Sequence, residues 1–327
     1  MMRLPSFRYY APSSVKEASR ILAQEGPDAK IVAGGTDLFP NMKRRHQTPK
    51  TLVSLRRIRE LRGISGSPVE GVRIGSCTTL ADVITDPTIT RSYRALAHAA
   101  GVVSTPLLRN MGTIGGNICL DTRCNYYDQN WEWRRAIRFC LKCEGDTCWV
   151  APSSDTCLAV NSSDTAPLLF ALGATVHLVS HDGERELLVR EMYRKDGIHY
   201  LTKRSQEILT EIRLPAANGW TASYVKLARR GAFDFPVLGV AAVIRRDGDG
   251  TITDAKIVFN AVASCPVEAV GGQERLIGRK LSEELILEAA AASAGPARPM
   301  DNTDFPLEWR KKMARVYAAR ALREHLR

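Results

Sequence analysis

Thr113-Ile114-Gly115-Gly116-Asn117 opens the stretch that decides how this chain is read, and Ser162-Ser163-Asp164-Thr165-Ala166-Pro167 closes it. Adjacent glycines let the backbone turn sharply and come close to another group. Between the two motifs lie six of the eight cysteines: Cys119, Cys124, Cys140, Cys143, Cys148 and Cys157. Together these features predict a nucleotide-binding loop with a metal-cluster segment spliced into it.

Residues 119–160 show neither a 2.0 nor a 3.6 period, and a stretch that long needs another source of order. Thiolates around iron or zinc supply one. Trp131, Trp133, Trp149, Tyr126, Tyr127 and Phe139 are available to pack around such a centre and exclude water. Structural zinc usually takes two C-x2-4-C pairs. Here only Cys140-Leu141-Lys142-Cys143 has that spacing. The wide intervals from Cys124 to Cys140, Cys148 and Cys157 favour a cubane cluster, with zinc as the rival. A nucleophilic cysteine ranks third, because no Cys–His signature stands out. Cys77, Cys119 and Cys265 read as small buried hydrophobes.

Working outward toward the N-terminus, Ser13-Ser14 predicts a helix cap, with the helix running to about Glu25 and ended by Gly26-Pro27. Lys30-Ile31-Val32-Ala33 reads as a buried strand that runs into a second glycine turn, Gly34-Gly35-Thr36-Asp37-Leu38. Successive N–H groups in such a turn make an anion nest. Thr36 or Asp37 is then expected to cap a helix. The G-x-G-x-x-G spacing of dinucleotide folds is absent here. Thr51-Leu52-Val53-Ser54-Leu55 and Val72-Arg73-Ile74-Gly75 read as strands, Thr79 as a cap, and residues 88–101 as a helix. Arg109 leads into the Thr113 turn. Two separated glycine turns could grip the halves of a pyrophosphate; the alternative is two tight turns without a ligand. Asp164 is either a helix N-cap or a partner for a flavin or ribose.

Toward the C-terminus, residues 174–214 alternate as strands around a His181-Asp182-Gly183 turn, and residues 215–219 mark a boundary. Beyond it come strands at 220–227, 237–246 and 252–262, with Asp247-Gly248-Asp249-Gly250 as a hairpin turn. Ser282 is expected to cap a helix to Ala292. A final helix, residues 307–326, offers Trp309, Met313, Val316, Tyr317 and Leu322 for burial.

The 46 basic and 35 acidic residues give a net charge of +11. Without an aromatic-interleaved basic motif, that excess reads as a solvated face or a dock for an acidic subunit, not a nucleic-acid site. No run of 18 apolar residues exists to span a membrane. The N-terminal Met1-Met2-Arg3-Leu4-Pro5-Ser6-Phe7 lacks the apolar core of a signal peptide, so a cytoplasmic location is expected. Clustered cysteines in that compartment point to metal and not to disulfides.

Ala33-Gly34-Gly35-Thr36-Asp37, Thr113-Ile114-Gly115-Gly116-Asn117, Asp164 and Tyr224-Val225-Lys226-Leu227-Ala228-Arg229-Arg230 resemble the flavoprotein subunit of the molybdenum hydroxylases, over nearly the whole chain. The resemblance implies an α+β protein. Its two-subdomain FAD-binding fold, of the PCMH (vanillyl-alcohol-oxidase-like) type, would occupy residues 1–56 and 57–218, with a [4Fe–4S] insertion at 119–160. A C-terminal α+β domain with a small antiparallel sheet would occupy 219–327. It implies FAD held at Ala33, Gly34, Gly35, Thr36, Asp37 and Leu38 and at Thr113, Ile114, Gly115, Gly116 and Asn117, with Arg109 beside them. Asp164 would lie near the flavin, Leu209 against its ring and Lys226 facing it. Val103 stands where some relatives have an aromatic residue.

Most members run straight from the glycine turn to the aspartate. Here Cys124, Cys140, Cys148 and Cys157, spaced C-x15-C-x7-C-x8-C, resemble the insertion of the 4-hydroxybenzoyl-CoA reductase β subunits, which holds an additional [4Fe–4S] cluster. The periplasmic aldehyde oxidoreductases carry a cluster here with tighter spacing. Cys143 departs from the pattern, as a free thiol or a substitute ligand. The resemblance implies a redox relay: a ferredoxin-like donor, the [4Fe–4S] cluster, FAD, then [2Fe–2S] clusters in a small partner subunit. The substrate site would lie in a large molybdopterin-binding subunit, within a dimer of heterotrimers. Reductive dehydroxylation is the expected chemistry, and the alternative is a hydroxylase oxidising an aldehyde or heteroaromatic.

Overall fold

The computed structural model describes residues 3–326; Met1 and Met2, part of the stretch read above for a leader, and Arg327 lie outside them. Three sheets organise the chain. A parallel three-stranded sheet has the order Arg8–Tyr10, Thr51–Ser54, Ala29–Val32. An antiparallel five-stranded sheet runs Ile64–Ser67, Gly71–Gly75, Ile208–Leu214, Thr175–Ser180, Gly183–Leu188. An antiparallel four-stranded sheet runs Val267–Glu268, Ile252–Asn260, Leu238–Arg246, Trp220–Leu227.

The strand Leu238–Arg246 ties the last sheet to the rest. It is apolar without a break from Leu238 to Ile244, because both of its faces are covered. Val240, Ala242 and Ile244 enter the core under the C-terminal helices. Ala241 and Val243 enter the core shared with the five-stranded sheet. The short helix Ala166–Ala171, which starts just after Asp164, packs on this strand from the second side. Alternation at period two thus joins two cores through one strand.

Local signals settle most element starts. Ser14 accepts the Glu17 N–H, Thr79 and Asp82 form a capping box, and Ser282 accepts the Leu285 N–H. Four expectations need correction. The helix expected over 88–101 is two, Pro87–Ser92 and Arg94–Gly101, broken where Tyr93 leaves helical geometry to donate its hydroxyl to the Pro215 carbonyl at 2.7 Å. Residues 119–160 are not wholly irregular: Asn130 caps a helix over Trp131–Ala136. Asp164 is not an N-cap, since Thr165 holds that position. In the helix Leu307–Arg323, Trp309 and Val316 face outward, while Arg310, Ala314, Ala318 and Ala321 are buried. Small side chains let that helix lie close to the sheet. Buried Arg310 gives its guanidinium to three carbonyls, those of Val237, Met300 and Ala261. No helix among the described residues is long and apolar enough to cross a membrane.

Candidate functional site: a cleft between two glycine turns, beside a cysteine pocket

The turn after Ala29–Val32 and the turn before Ile114–Ile118 meet face to face. A Cβ on Gly34 would overlap the Met111 carbonyl, so the approach of the two turns requires glycine there. Gly35 has φ +71°, and a side chain there would also strike the Phe39 ring. A Cβ on Gly115 would lie 2.6 Å from the Ser76 carbonyl oxygen. Between the turns opens a cleft of about 530 Å³, within the range of cofactor sites.

Of the candidate residues, Ala33, Gly34, Gly35, Thr36, Asp37, Leu38, Val103, Thr113, Gly115, Gly116, Asn117 and Leu209 line this cleft. Arg109, Ile114, Asp164 and Lys226 stand behind its wall. Arg109 donates to the Val103 carbonyl at 2.8 Å. Ile114 is fully buried in the core. Asp164, 2 % exposed, accepts the Tyr224 hydroxyl at 2.8 Å and the Lys226 ammonium at 3.0 Å. Burial raises its carboxyl to about 6, against the opposing pull of Lys226 and Tyr224. Lys226 also donates to the Val102 carbonyl at 2.9 Å, so this buried pair pins the segment that carries Val103.

The two turns differ in their free backbone groups. The N–H groups of Ile114, Gly115, Gly116 and Asn117 are taken by Thr78 O, Ser76 O, Thr113 Oγ1 and Thr113 O at 2.9–3.1 Å. Asn117 Oδ1 accepts from Ser163 and Thr165, closing the turn onto the Asp164 loop. Those of Gly34, Gly35, Thr36 and Asp37 donate to no oxygen among the described residues. Asp37 stands at the N-cap but makes no capping bond. Its carboxylate pairs with Arg123 and accepts the Asn41 amide at 3.2 Å. An open nest of N–H groups on a glycine turn, at the edge of a cleft, suits a pyrophosphate.

Asp121, Tyr200, Lys30, Lys203 and Phe235 also line the cleft, and the sequence reading missed them. Burial lowers the ammonium pKa values of Lys30 and Lys203. The lysines carried one weak signal, a charge inside or beside apolar runs.

The insertion docks along the edge of the cleft. Arg123 pairs with Asp37 and lies 4.3 Å over the Phe235 ring. Tyr127 donates to the His46 carbonyl at 2.9 Å, and Asn125 to the Asn302 carbonyl at 2.9 Å. Cys124, Cys140, Cys148 and Cys157 are each at most 7 % exposed, and all eight cysteines are free thiols. Cys124, Cys140 and Cys157 share one buried cluster; Cys148 lies within electrostatic range of Cys140 and Cys157. Burial pushes the Cys124 thiol up to about 12 and the Cys157 thiol up to about 11. Backbone N–H groups two residues on point at three of the sulfurs: Tyr126 at Cys124, Lys142 at Cys140 and Ala159 at Cys157. Among the described residues no three His, Cys, Asp or Glu converge on a single ion position. That supports neither the zinc nor the cluster expectation. Cys143 is held differently, by Arg134 Nη1 at 2.8 Å.

Residues 5–217 match the family described as "FAD binding domain in molybdopterin dehydrogenase", and residues 223–325 match "CO dehydrogenase flavoprotein C-terminal domain". The chain therefore belongs to the FAD-binding subunits of the molybdenum hydroxylase family and is an oxidoreductase subunit. It is 31 % identical over 321 residues to the carbon monoxide dehydrogenase medium chain of Hydrogenophaga pseudoflava, covering 97 % of this chain and 96 % of that one. It is 30 % identical over 328 residues to an aldehyde oxidoreductase FAD-binding subunit of Escherichia coli, covering 96 % and 98 %. The solved carbon monoxide dehydrogenase of H. pseudoflava lacking the Mo-pyranopterin moiety superposes with a TM-score of 0.80 at 29 % identity, over 98 % of each chain.

Proposed function

We propose that this chain is the electron-transfer subunit of a cytoplasmic molybdenum enzyme that oxidises an aldehyde or heteroaromatic at a large molybdopterin-binding partner, alongside a small [2Fe–2S] partner. The observation that carries this reading is the cleft itself, with its open first turn, in a chain whose long matches include a dehydrogenase medium chain and an aldehyde oxidoreductase subunit. Those relatives favour the oxidising direction over reductive dehydroxylation of a 4-hydroxybenzoyl-CoA.

In this reading Gly34, Gly35, Thr36 and Asp37 donate backbone N–H groups to the pyrophosphate. Gly115 and Gly116 leave room for it. Leu209 and Val103 supply apolar contact for the ring. Asp164, Lys226 and Arg109 hold the wall from behind. FAD supplies the exchange between two-electron and one-electron chemistry. Residues 1–56, 57–218 and 219–327 act as the two cofactor-binding subdomains and the roof.

We further propose that Cys124, Cys140, Cys148 and Cys157 hold a [4Fe–4S] cluster, because backbone N–H groups already face three of those buried sulfurs. Such a cluster stores single electrons, with a potential set by hydrogen bonds to sulfur and by exposure.

The test is to purify the assembled complex without oxygen and to assay flavin, iron, zinc and turnover. Bound FAD, about four irons per chain beyond those of the small partner's [2Fe–2S] clusters and aldehyde-dependent reduction are expected. Zinc in place of iron, or no flavin, sinks the proposal. Turnover of 4-hydroxybenzoyl-CoA with a reduced ferredoxin-like donor, and none with aldehydes or heteroaromatics, would reverse the direction.

A further inference from the structure

We propose that Lys142 is the positioning cation of the cysteine pocket, and that its charge raises the reduction potential of the cluster held there. The proposal rests on the [4Fe–4S] reading. Lys142 stands between Cys140 and Cys143 in the sequence, and its side chain is 7 % exposed. An ammonium has three protons to donate. Lys142 gives them to Asp121 Oδ1 at 2.8 Å, Thr122 Oγ1 at 2.7 Å and the Gly197 carbonyl at 2.7 Å. These acceptors lead in two directions. Asp121 lines the flavin cleft and is itself held by Gln47 Nε2 at 2.7 Å. Gly197 lies against Cys157, where a Cβ would stand 2.7 Å from the sulfur. One buried cation therefore fastens the cysteine loop both to the wall of the cleft and to the segment covering Cys157.

Its position has an electrostatic consequence. Lys142 lies within electrostatic range of the Cys157 sulfur. A cluster that accepts one electron gains one negative charge among four thiolates. A buried ammonium beside it stabilises that reduced form more than the oxidised one, and salt screens the field little at such depth. The Asp121 carboxylate offsets part of the charge. Removing Lys142 and neutralising Asp121 should therefore move the potential in opposite directions.

The experiment is an anaerobic redox titration of the purified complex, with the reduced cluster followed by electron paramagnetic resonance and iron and FAD assayed in parallel. Lys142→Met should shift the oxidised-to-reduced ratio at fixed potential tenfold toward oxidised, which is about 59 mV lower for one electron. Lys142→Arg should restore most of that shift. Asp121→Asn should move the ratio several-fold the other way. A clamp with only a structural role predicts shifts of one sign or none, and either result overturns the proposal. If Lys142→Met loses its iron, Asp121→Asn decides: an upward shift supports the proposal and an unchanged potential overturns it. A wild-type complex with no iron beyond that of the small partner's [2Fe–2S] clusters removes the cluster reading and the proposal together. Iron at full content with unmoved potentials removes the proposal alone.

Discussion

The two glycine turns look alike in sequence and differ in what their backbones still offer. Around Gly115 and Gly116 every N–H from Ile114 to Asn117 is already bonded, through Ser76, Thr78 and Thr113. Gly34 and Gly35 line the cleft, and their N–H groups have no partner among the described residues. The second turn is therefore a closed structural corner, and the first is the turn we propose for the pyrophosphate. A glycine pair alone reports close approach, and only the donors' partners tell whether a ligand or the protein makes that approach.

The largest effect should come from Gly34→Ala, which drives a methyl into the Met111 carbonyl and forces the two turns apart. We expect a loss of roughly 3 kcal/mol or more, read by denaturant unfolding, together with loss of bound flavin. Retention of both would mean that the turns do not need their close contact. Gly35→Ala should cost about 1–2 kcal/mol for the left-handed backbone, with a further penalty from the Phe39 ring, and FAD affinity should fall with it. Thr36→Val and Thr113→Val form the sharpest pair. Thr36→Val removes the one side-chain hydroxyl that the open turn adds to its N–H donors on the cleft wall; it should weaken FAD about tenfold, the worth of one hydrogen bond to a charged group, while the FAD-free chain unfolds as before. Thr113→Val removes the cap on the Gly116 N–H and should cost about 1 kcal/mol of stability with FAD affinity nearly unchanged. Equilibrium flavin titration beside thermal unfolding separates the two, and the reverse pattern would break the distinction between the turns. The smallest effect is expected for Gly116→Ala. Its Cβ would meet only Thr113 Oγ1, at a tight 3.0 Å, so the Thr113 cap must shift slightly, stability should fall slightly and flavin binding should fall a few-fold.

Much of this was legible from local chemistry. Ser14, Thr79 and Ser282 cap helices because their hydroxyls reach N–H groups three residues on, and three residues is a distance that sequence can report. The strands around Asp247-Gly248-Asp249-Gly250 follow from alternation and a turn. Less legible were the sites where a side chain chose a distant partner over a near one. Asp37 stands at a helix start yet pairs with Arg123, and Asp164 passes over the helix beside it for Tyr224 and Lys226. The expected burial of Trp309 and Val316 failed for a related reason: the sheet selected the small-residue face of its helix, where close packing was available.

The amino-acid order by itself determined the two glycine turns, the family they belong to, and the four cysteines set apart in an insertion. Those are matters of residue type and spacing. Only the tertiary structure decided which turn keeps free donors, that Asp164 and Lys226 hold the cleft wall instead of lining it, and that Lys142 joins the cysteine loop to that wall. The reason is physical. A buried charge or N–H must find a partner wherever packing brings one, and packing unites residues that lie tens of positions apart along the chain.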